Sequence, residues 1–350
     1  MNAVAVQPAA APELDAVVEA LTAFLRANLP DGAEPEVTNL RRSGGGASRE
    51  NWPFDAVWAD NGERSVHRLL MRRDPPADVV ETQRVAEFAV LKHLARTGMP
   101  SPRVHWLDDT GEQLLRPAMI VERCEGSAHR AVLRPNDPLR LGTEGQSAFA
   151  ASLADALGQL HVIDANETGV QGVLPDPGPE PALQELEQWE GRLDAAQIEP
   201  EPGLRAVAAW LRDNPPPPPA RMVVVHGDFR PANVLVHEGK LSVVLDWELV
   251  HLGDPLDDLG WYTTTLYTHE HFIPGRWEVE DFLRRYTERT GLEINRRALE
   301  FWQIMSAFRL AVIAVTAARN FALGTTDRPQ PPSDGLVRRV LAAVLAAEGR

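Results

Sequence analysis

His226-Gly227-Asp228-Phe229-Arg230-Pro231-Ala232-Asn233-Val234-Leu235, followed by Val243-Val244-Leu245-Asp246-Trp247-Glu248, decides the reading of this chain. An apolar strand, Met222–Val225, runs into a polar loop, a short apolar piece leaves it, and a second apolar strand ends on an aspartate. Phosphoryl transfer needs such a set. One carboxylate must orient an attacking hydroxyl and accept its proton, and further oxygen ligands must hold the magnesium ions that bridge the phosphates. Asp228 suits the first task. Asn233 and Asp246 suit the second, because an amide oxygen and a carboxylate are both hard ligands. Asn233 lies five residues after Asp228, so one loop can present both, and a hairpin can bring Asp246 opposite Asn233. Any one of these residues alone is ordinarily a turn former or a cap; the spacing of all three argues for chemistry.

The next segment, Gly253-Asp254-Pro255-Leu256-Asp257-Asp258-Leu259, reads as a helix start, with an Asp N-cap and then Pro at the first helical position. Between Val243 and Asp258 there are five carboxylates and no Lys or Arg. Such a cluster repels itself without cations, which favours a metal site over a merely solvated face.

Composition bounds the partners. The chain has 350 residues, 44% hydrophobic and 24% charged, and 50 acidic against 35 basic side chains give a formal charge of −15. Binding to nucleic acid or to an anionic membrane surface depends on basic patches, so neither is expected. The single cysteine, Cys124, cannot form an internal disulfide, and no Cys-x-x-Cys pair is present to hold zinc. Met1 to Pro12 lack a basic stretch followed by an apolar run, and no segment has the roughly 18 uninterrupted apolar residues of a membrane span. The expectation is a soluble, cytoplasmic protein.

Outward from the central motif, helical spacing covers Leu14 to Leu25 and stops at Pro30. Short β-like pieces follow at Val37–Arg42, Trp52–Trp58 and Val66–Met71, the last two joined by a turn at Asp60-Asn61-Gly62. A helix carries Val85, Phe88, Leu91 and Leu94 on one face and ends at Gly98 and Pro100, and strands are expected at Arg103–Trp106 and Ala118–Glu122. After Glu125-Gly126 helices dominate, at about 145–162, 181–195, 203–212, 255–266, 279–290, 297–322 and 335–347. Five consecutive prolines, Pro215 to Pro219, form a stiff connector. The expected class is α+β: an extension and helix over 1–30, a small β-rich lobe over 31–123 and a larger helical lobe over 124–350. His269-Glu270-His271 lacks the i, i+4 histidine spacing of zinc helices and reads as a solvated loop.

The run His226-Gly227-Asp228, four residues, Asn233, then a strand ending on Asp246, resembles the aminoglycoside phosphotransferase family within the bilobal protein-kinase-like fold. The resemblance extends over about residues 36–325. It implies that Asp228 is the catalytic base, that Arg230 stands near the γ-phosphate, and that Asn233 and Asp246 bind Mg2+ beside ATP. It gives His226 and Asp258, the last aspartate of the Gly-Asp-Pro-x-x-Asp-Leu run, supporting roles at the catalytic loop. Gly44-Gly45-Gly46-Ala47-Ser48 falls where the family has its phosphate-covering loop, with Gly45, Gly46 and Ser48 as contacts. Arg72, or alternatively Arg73, stands where protein kinases have a β3 lysine, and Glu87 is its candidate partner; arginine can pair with both phosphate and glutamate, with a different fork geometry. In Met119-Ile120-Val121-Glu122-Arg123-Cys124 the resemblance gives adenine contacts to the backbone of Glu122 and Cys124.

Asp246 is followed by Trp247-Glu248 rather than Phe-Gly, which argues against a protein kinase. The stretch Asp246-Trp247-Glu248 with Gly253-Asp254-Pro255, and the helix carrying Phe308, Arg309, Arg319 and Asn320, look most like kinase-like domains fused to acyl-CoA dehydrogenases. That branch implies a hydroxylated metabolite such as a hydroxyacyl-CoA as acceptor. An aminoglycoside, or nucleotide binding with little catalysis, are the alternatives. For the acceptor side the candidates are Trp261, one turn beyond Asp258, and Arg309 and Arg319. The arginines either pair with the surplus carboxylates or meet an anionic acceptor.

Overall fold

The computed structural model describes residues 11–43, 49–60, 63–74, 84–325 and 333–349. The chain forms two compact units: Met1–Lys92 with Pro102–Cys124, and His93–Ser101 with Glu125–Arg350.

The first unit is a five-stranded antiparallel sheet in the order β1-β2-β3-β5-β4 with a helix on it. Helix α1 is Ala11–Asn28; the strands are β1 Glu36–Thr38, β2 Glu50–Asp60, β3 Glu63–Arg73, β4 Val104–Asp108 and β5 Ala118–Glu122, with helix α2, Arg84–Leu94, between β3 and β4. Strand β2 buries Trp52, Phe54, Ala56 and Trp58, the period of two that puts alternate side chains on one face. Leu69 and Met71 of β3 pair with Phe54 and Trp52. Against this face α1 lays Val17, Leu21, Phe24 and Leu25, spaced as one helical stripe. The expected strand over Val37–Arg42 is cut to three residues. Asn39 adopts a left-handed φ of 55°, which breaks the ladder at that point.

The second unit is helical, with two small two-stranded ladders. In chain order it has α3 Gly142–His161, α4 Ala165–Thr168, α5 Pro181–Ala196, α6 Pro202–Asp213, β6 Val223–Val225, β7 Val234–His237, β8 Lys240–Val244, β9 His251–Gly253, α7 Pro255–Thr263, α8 Thr268–His271, α9 Val279–Thr290, α10 Arg296–Ala322 and α11 Asp334–Ala347. Strand β6 pairs with β9, and β7 with β8. Helix α7 stops three residues short of its expected end, at the β-branched run Thr263-Thr264-Thr265, where the backbone of Thr264 turns extended.

Helix α10 is the spine of this unit and packs on α7, α5, α6 and α11. Gly260 lets α7 approach it closely: a Cβ there would sit 2.5 Å from the Trp302 backbone. By length and composition α10 could cross a bilayer, but 61% of its most apolar window is buried inside the protein, the pattern of a core helix. Arg309 lies in its middle at 1% exposure.

Candidate active site

The loop between β6 and β7 is built by backbone demands first. Gly227 has a φ of +81°, and a Cβ on it would stand 2.6 Å from the Leu249 carbonyl oxygen; only glycine fits there. Asp258, fully buried on α7, accepts the N–H of His226 through Oδ2 at 2.7 Å and that of Gly227 through Oδ1 at 2.9 Å. His161, at the end of α3, meets the same Oδ2 at 3.0 Å, and its other nitrogen meets the Tyr286 hydroxyl at 2.7 Å. Burial alone would raise the pKa of Asp258. The hydrogen bond and charge of His161, with His226, outweigh it and hold the group below the ordinary aspartate range. Asp258 is therefore a carboxylate that clamps the start of the loop.

His226 works on the other flank. Its Nε2 lies 2.9 Å from the Leu245 carbonyl, its Nδ1 accepts from the Asp228 N–H at 3.2 Å, and its ring leans on Trp247. The β7–β8 hairpin pairs Val234 with Val244, and Leu245 N–H donates to the Asn233 carbonyl at 2.7 Å. Asp246, the next residue, is thus presented beside Asn233, in a left-handed conformation with φ 60°. Such a φ is uncommon for a residue with a side chain and clusters at functional positions.

Asp228 is partly buried. Asn233 Nδ2 donates both to its carbonyl at 2.9 Å and to its Oδ2 at 2.7 Å. Its Oδ1 makes no hydrogen bond among the described residues and faces Arg230 Nε at 3.3 Å. Burial pushes the Asp228 pKa up, against the lowering influence of Arg230, His226 and the Asn233 hydrogen bond. A carboxylate made more basic in this way suits proton abstraction. The donor set also fits a hard divalent cation. Asn233 uses its amide hydrogens on Asp228, which leaves its Oδ1 outside those bonds, and Asp246 adds a carboxylate alongside.

Arg230 also lies over the Tyr267 ring, 5.7 Å from its centroid. Burial is the main cause that raises the Tyr267 phenol pKa; Arg230, Asp228, Glu270 and Arg130 all act on it as well, so they are its neighbours. Glu270 is 1% exposed. Arg130 and Arg134 both close on its Oε1, Arg134 at 3.0 Å. This corrects the reading of His269-Glu270-His271 as a solvated loop: Glu270 and His271 are buried in α8, because the arginines and the Tyr262 carbonyl satisfy them.

The acceptor-side candidates separate. Arg309 pairs with Asp257 through Nη1 and donates through Nη2 to the Gly227 carbonyl at 2.7 Å. Both ends of its fork are occupied inside the protein, which favours the carboxylate pairing over the acceptor contact of its two sequence readings: it braces the loop. Trp261 is 2% exposed and stacks its ring against the Arg309 guanidinium at 5.1 Å, so it too belongs to the brace rather than to an open wall. Arg319 is half-buried, 3.5 Å from Asn320 Oδ1, and is not joined to this cluster by any of these contacts.

Within the first unit Arg72 Nη1 meets Glu87 Oε1 at 2.6 Å, and Arg49, which the sequence reading passed over, meets Glu87 Oε2 at 2.7 Å. Arg73 turns instead to Glu50 at 2.8 Å and to Glu13. Of the two arginines, Arg72 is the one paired with α2. Glu122 ends β5, and Cys124 follows it with its thiol 3.7 Å from the Glu122 carbonyl. Burial pushes that thiol up to about 11, so it is no nucleophile near neutral pH. Gly45, Gly46 and Ser48 lie outside the described residues.

Comparison with known proteins follows the same lines. A sequence profile described as the phosphotransferase enzyme family matches residues 45–302. Acyl-CoA dehydrogenase family member 11 of Gallus gallus is 26% identical over 256 residues, 69% of this chain and 32% of that protein. Acyl-CoA dehydrogenase family member 10 of Mus musculus is 27% identical over 292 residues, 75% of this chain and 26% of that protein. The chain thus spans about a third or less of these relatives. Among solved structures, a Ralstonia eutropha JMP134 protein assigned as an aminoglycoside phosphotransferase superposes with a TM-score of 0.67 at 21% identity, covering 94% of this chain and 96% of that one. A thermostable mutant of the aminoglycoside phosphotransferase APH(4)-Ia, in ternary complex with AMP-PNP and hygromycin B, gives 0.58 at 15% identity over 94% and 98%. These likenesses establish a bilobal, protein-kinase-like α+β fold.

Proposed function

Because the chain belongs to the phosphotransferase enzyme family, we propose that it moves the γ-phosphate of ATP onto a hydroxyl of a small, hydroxylated metabolite. The observation that carries this reading is the clamped loop. Asp258 and His226 fix Asp228 from both flanks, and Asn233 bonds to its carboxylate at 2.7 Å. In the reading, Asp228 orients the acceptor hydroxyl and takes its proton as the oxygen attacks the γ-phosphorus, and ADP departs. Arg230, 3.3 Å from Asp228, offsets charge on the transferring group. Asn233 and Asp246 would hold Mg2+, which when bound neutralises phosphate charge. Arg72, oriented by Glu87, would contact a nucleotide phosphate, while the backbone at Glu122 and Cys124 would take the adenine.

For the acceptor we favour an anionic metabolite, a hydroxyacyl-CoA being one such compound, over an aminoglycoside. A polycation calls for surplus carboxylates. The neighbours of Asp228 through Tyr267 instead include Arg230, Arg130 and Arg134 around one buried Glu270. Arg130 keeps 58% of its side chain exposed, so it is available to a ligand. The relatives named for acyl-CoA dehydrogenases agree with this preference.

The test is a panel of hydroxyacyl-CoAs, hydroxy acids, neutral alcohols and aminoglycosides, scored by acceptor-dependent ADP release with Mg2+. Release with the anionic hydroxylated compounds is the expected result. Release only with aminoglycosides would overturn the acceptor class, and no acceptor-dependent release from any class, with ATP bound, would favour a nucleotide-binding module.

A further inference from the structure

On the far side of the Arg309 brace stands a group of side chains that the transfer reaction does not use. Glu185 of α5, His251 of β9 and Asp257 of α7 direct one ligand atom each to a common point, all within 4.8 Å of one another. His251 Nε2 is 3.3 Å from Asp257 Oδ2 and 3.7 Å from Glu185 Oε1. A tetrahedral zinc ion with bonds of about 2.0–2.2 Å separates its ligands by roughly 3.3–3.6 Å, so two edges of such a polyhedron are already near their length.

The orientation of the imidazole supports the same occupant. Nδ1 lies 2.9 Å from the Leu249 carbonyl, the backbone contact that commonly fixes a ligating histidine and leaves Nε2 for the ion. Neither His251 Nε2 nor Asp257 Oδ2 makes a hydrogen bond among the described residues, although Asp257 is fully buried. Arg309 takes only the other oxygen, Oδ1. With a neutral imidazole, the two carboxylates outweigh Arg309 by one negative charge. His251 and Glu185 retain 24% and 11% side-chain exposure, an edge through which an ion and a water ligand can enter.

We propose that Glu185, His251 and Asp257 form a binding site for one divalent transition-metal ion, Zn2+ by geometry and donor set, with a fourth position open to water. An imidazole nitrogen among the donors selects against Mg2+, which prefers an all-oxygen octahedron. The site is therefore separate from Asn233 and Asp246 and does not depend on the proposed transfer reaction. Because Asp257 also holds Arg309, and Arg309 holds the Gly227 carbonyl, an ion here would be linked to the loop that carries Asp228 through those two side chains.

The test uses the full chain, stripped with a chelator and desalted, without nucleotide or Mg2+. Zn2+ is titrated against a chromophoric chelator, and Co2+ is added to a second sample as a spectroscopic probe. Expected are one competing equivalent of Zn2+ and the intense visible bands of tetrahedral Co2+. Both should be lost or weakened about tenfold or more in His251→Gln and in the near-isosteric Glu185→Gln, and kept in Asp246→Ala. Should His251→Gln fail to fold by circular dichroism, Glu185→Gln decides the matter. Absence of Zn2+ uptake by the unaltered chain, or uptake unchanged in folded Glu185→Gln, would overturn the proposal.

Discussion

Arg309 Nη2 donates to the backbone carbonyl of Gly227 at 2.7 Å, one residue before Asp228. Its other terminal nitrogen is paired with buried Asp257, so one side chain from the middle of α10 ties α7 to the loop that carries Asp228. Removing it should cost stability and activity together. Breaking a buried pair by deleting one partner typically costs about 3–5 kcal/mol. Arg309→Met is expected near the lower end, because His251 still faces Asp257 at 3.3 Å. Denaturant unfolding measures the loss, and adding Asp257→Asn should return part of it. A double variant no more stable than Arg309→Met would show that the pair is not the source.

Asp228→Asn should reduce turnover by about 10²–10⁴-fold while ATP affinity changes little. The amide keeps the shape of the side chain but cannot accept the proton. Single-turnover kinetics with a confirmed acceptor are the measurement. A variant with more than about a tenth of the original rate, chemistry being rate-limiting, would remove Asp228 as base.

Asp246→Ala should weaken nucleotide binding in the presence of Mg2+ and leave binding without Mg2+ nearly unchanged. The motive is its place directly after Leu245, whose N–H is bonded to the Asn233 carbonyl. Titrations of ATP with and without the ion give the comparison; identical Mg2+ dependence in both proteins would rule Asp246 out of metal binding.

Arg130→Gln is expected to raise KM for an anionic acceptor severalfold and to leave KM for ATP alone, since its side chain is 58% exposed and Arg134 still pairs with Glu270. Arg134→Gln should do the same with some loss of stability. Kinetics on an anionic acceptor unchanged from the unaltered chain in both variants would place the acceptor elsewhere.

His271 supplies a pH dependence. Burial pulls its pKa down to about 4, while Nδ1 lies 2.7 Å from the Tyr262 carbonyl. The neighbouring charges that act on it are Arg230, Glu270 and His269. The folded state thus holds the ring neutral, whereas the unfolded chain protonates near 6.5. Its contribution is complete above about pH 6.5 and is lost as pH falls toward 4, by up to roughly 3 kcal/mol. His271→Asn, whose amide can still donate to Tyr262, should show a flatter melting-temperature profile between pH 7 and 4. Parallel profiles would assign the acid sensitivity to other groups.

The sequence by itself determined the frame of the site. Asp228, Asn233 and Asp246 are legible because the loop and the hairpin that carry them are local, so spacing translates directly into proximity. The strands and helices were legible for the same reason: the alternation of Trp52, Phe54, Ala56 and Trp58 and the stripe on α1 are local periodicities imposed by the backbone. Boundaries failed where a single backbone torsion intervened, as at Asn39.

Only the tertiary structure decided the rest, because the remaining contacts join residues far apart in the chain. His161 reaches Asp258 across 97 positions, Arg309 reaches Gly227 across 82, and Arg134 reaches Glu270 across 136. No local pattern marks such pairs; a buried charge is stable only where folding brings it a partner. An arginine within an apolar helix reads from sequence as either a ligand contact or a structural pair. Packing of α10 on α7 resolved it by placing Asp257 and the Gly227 carbonyl at the two ends of its fork.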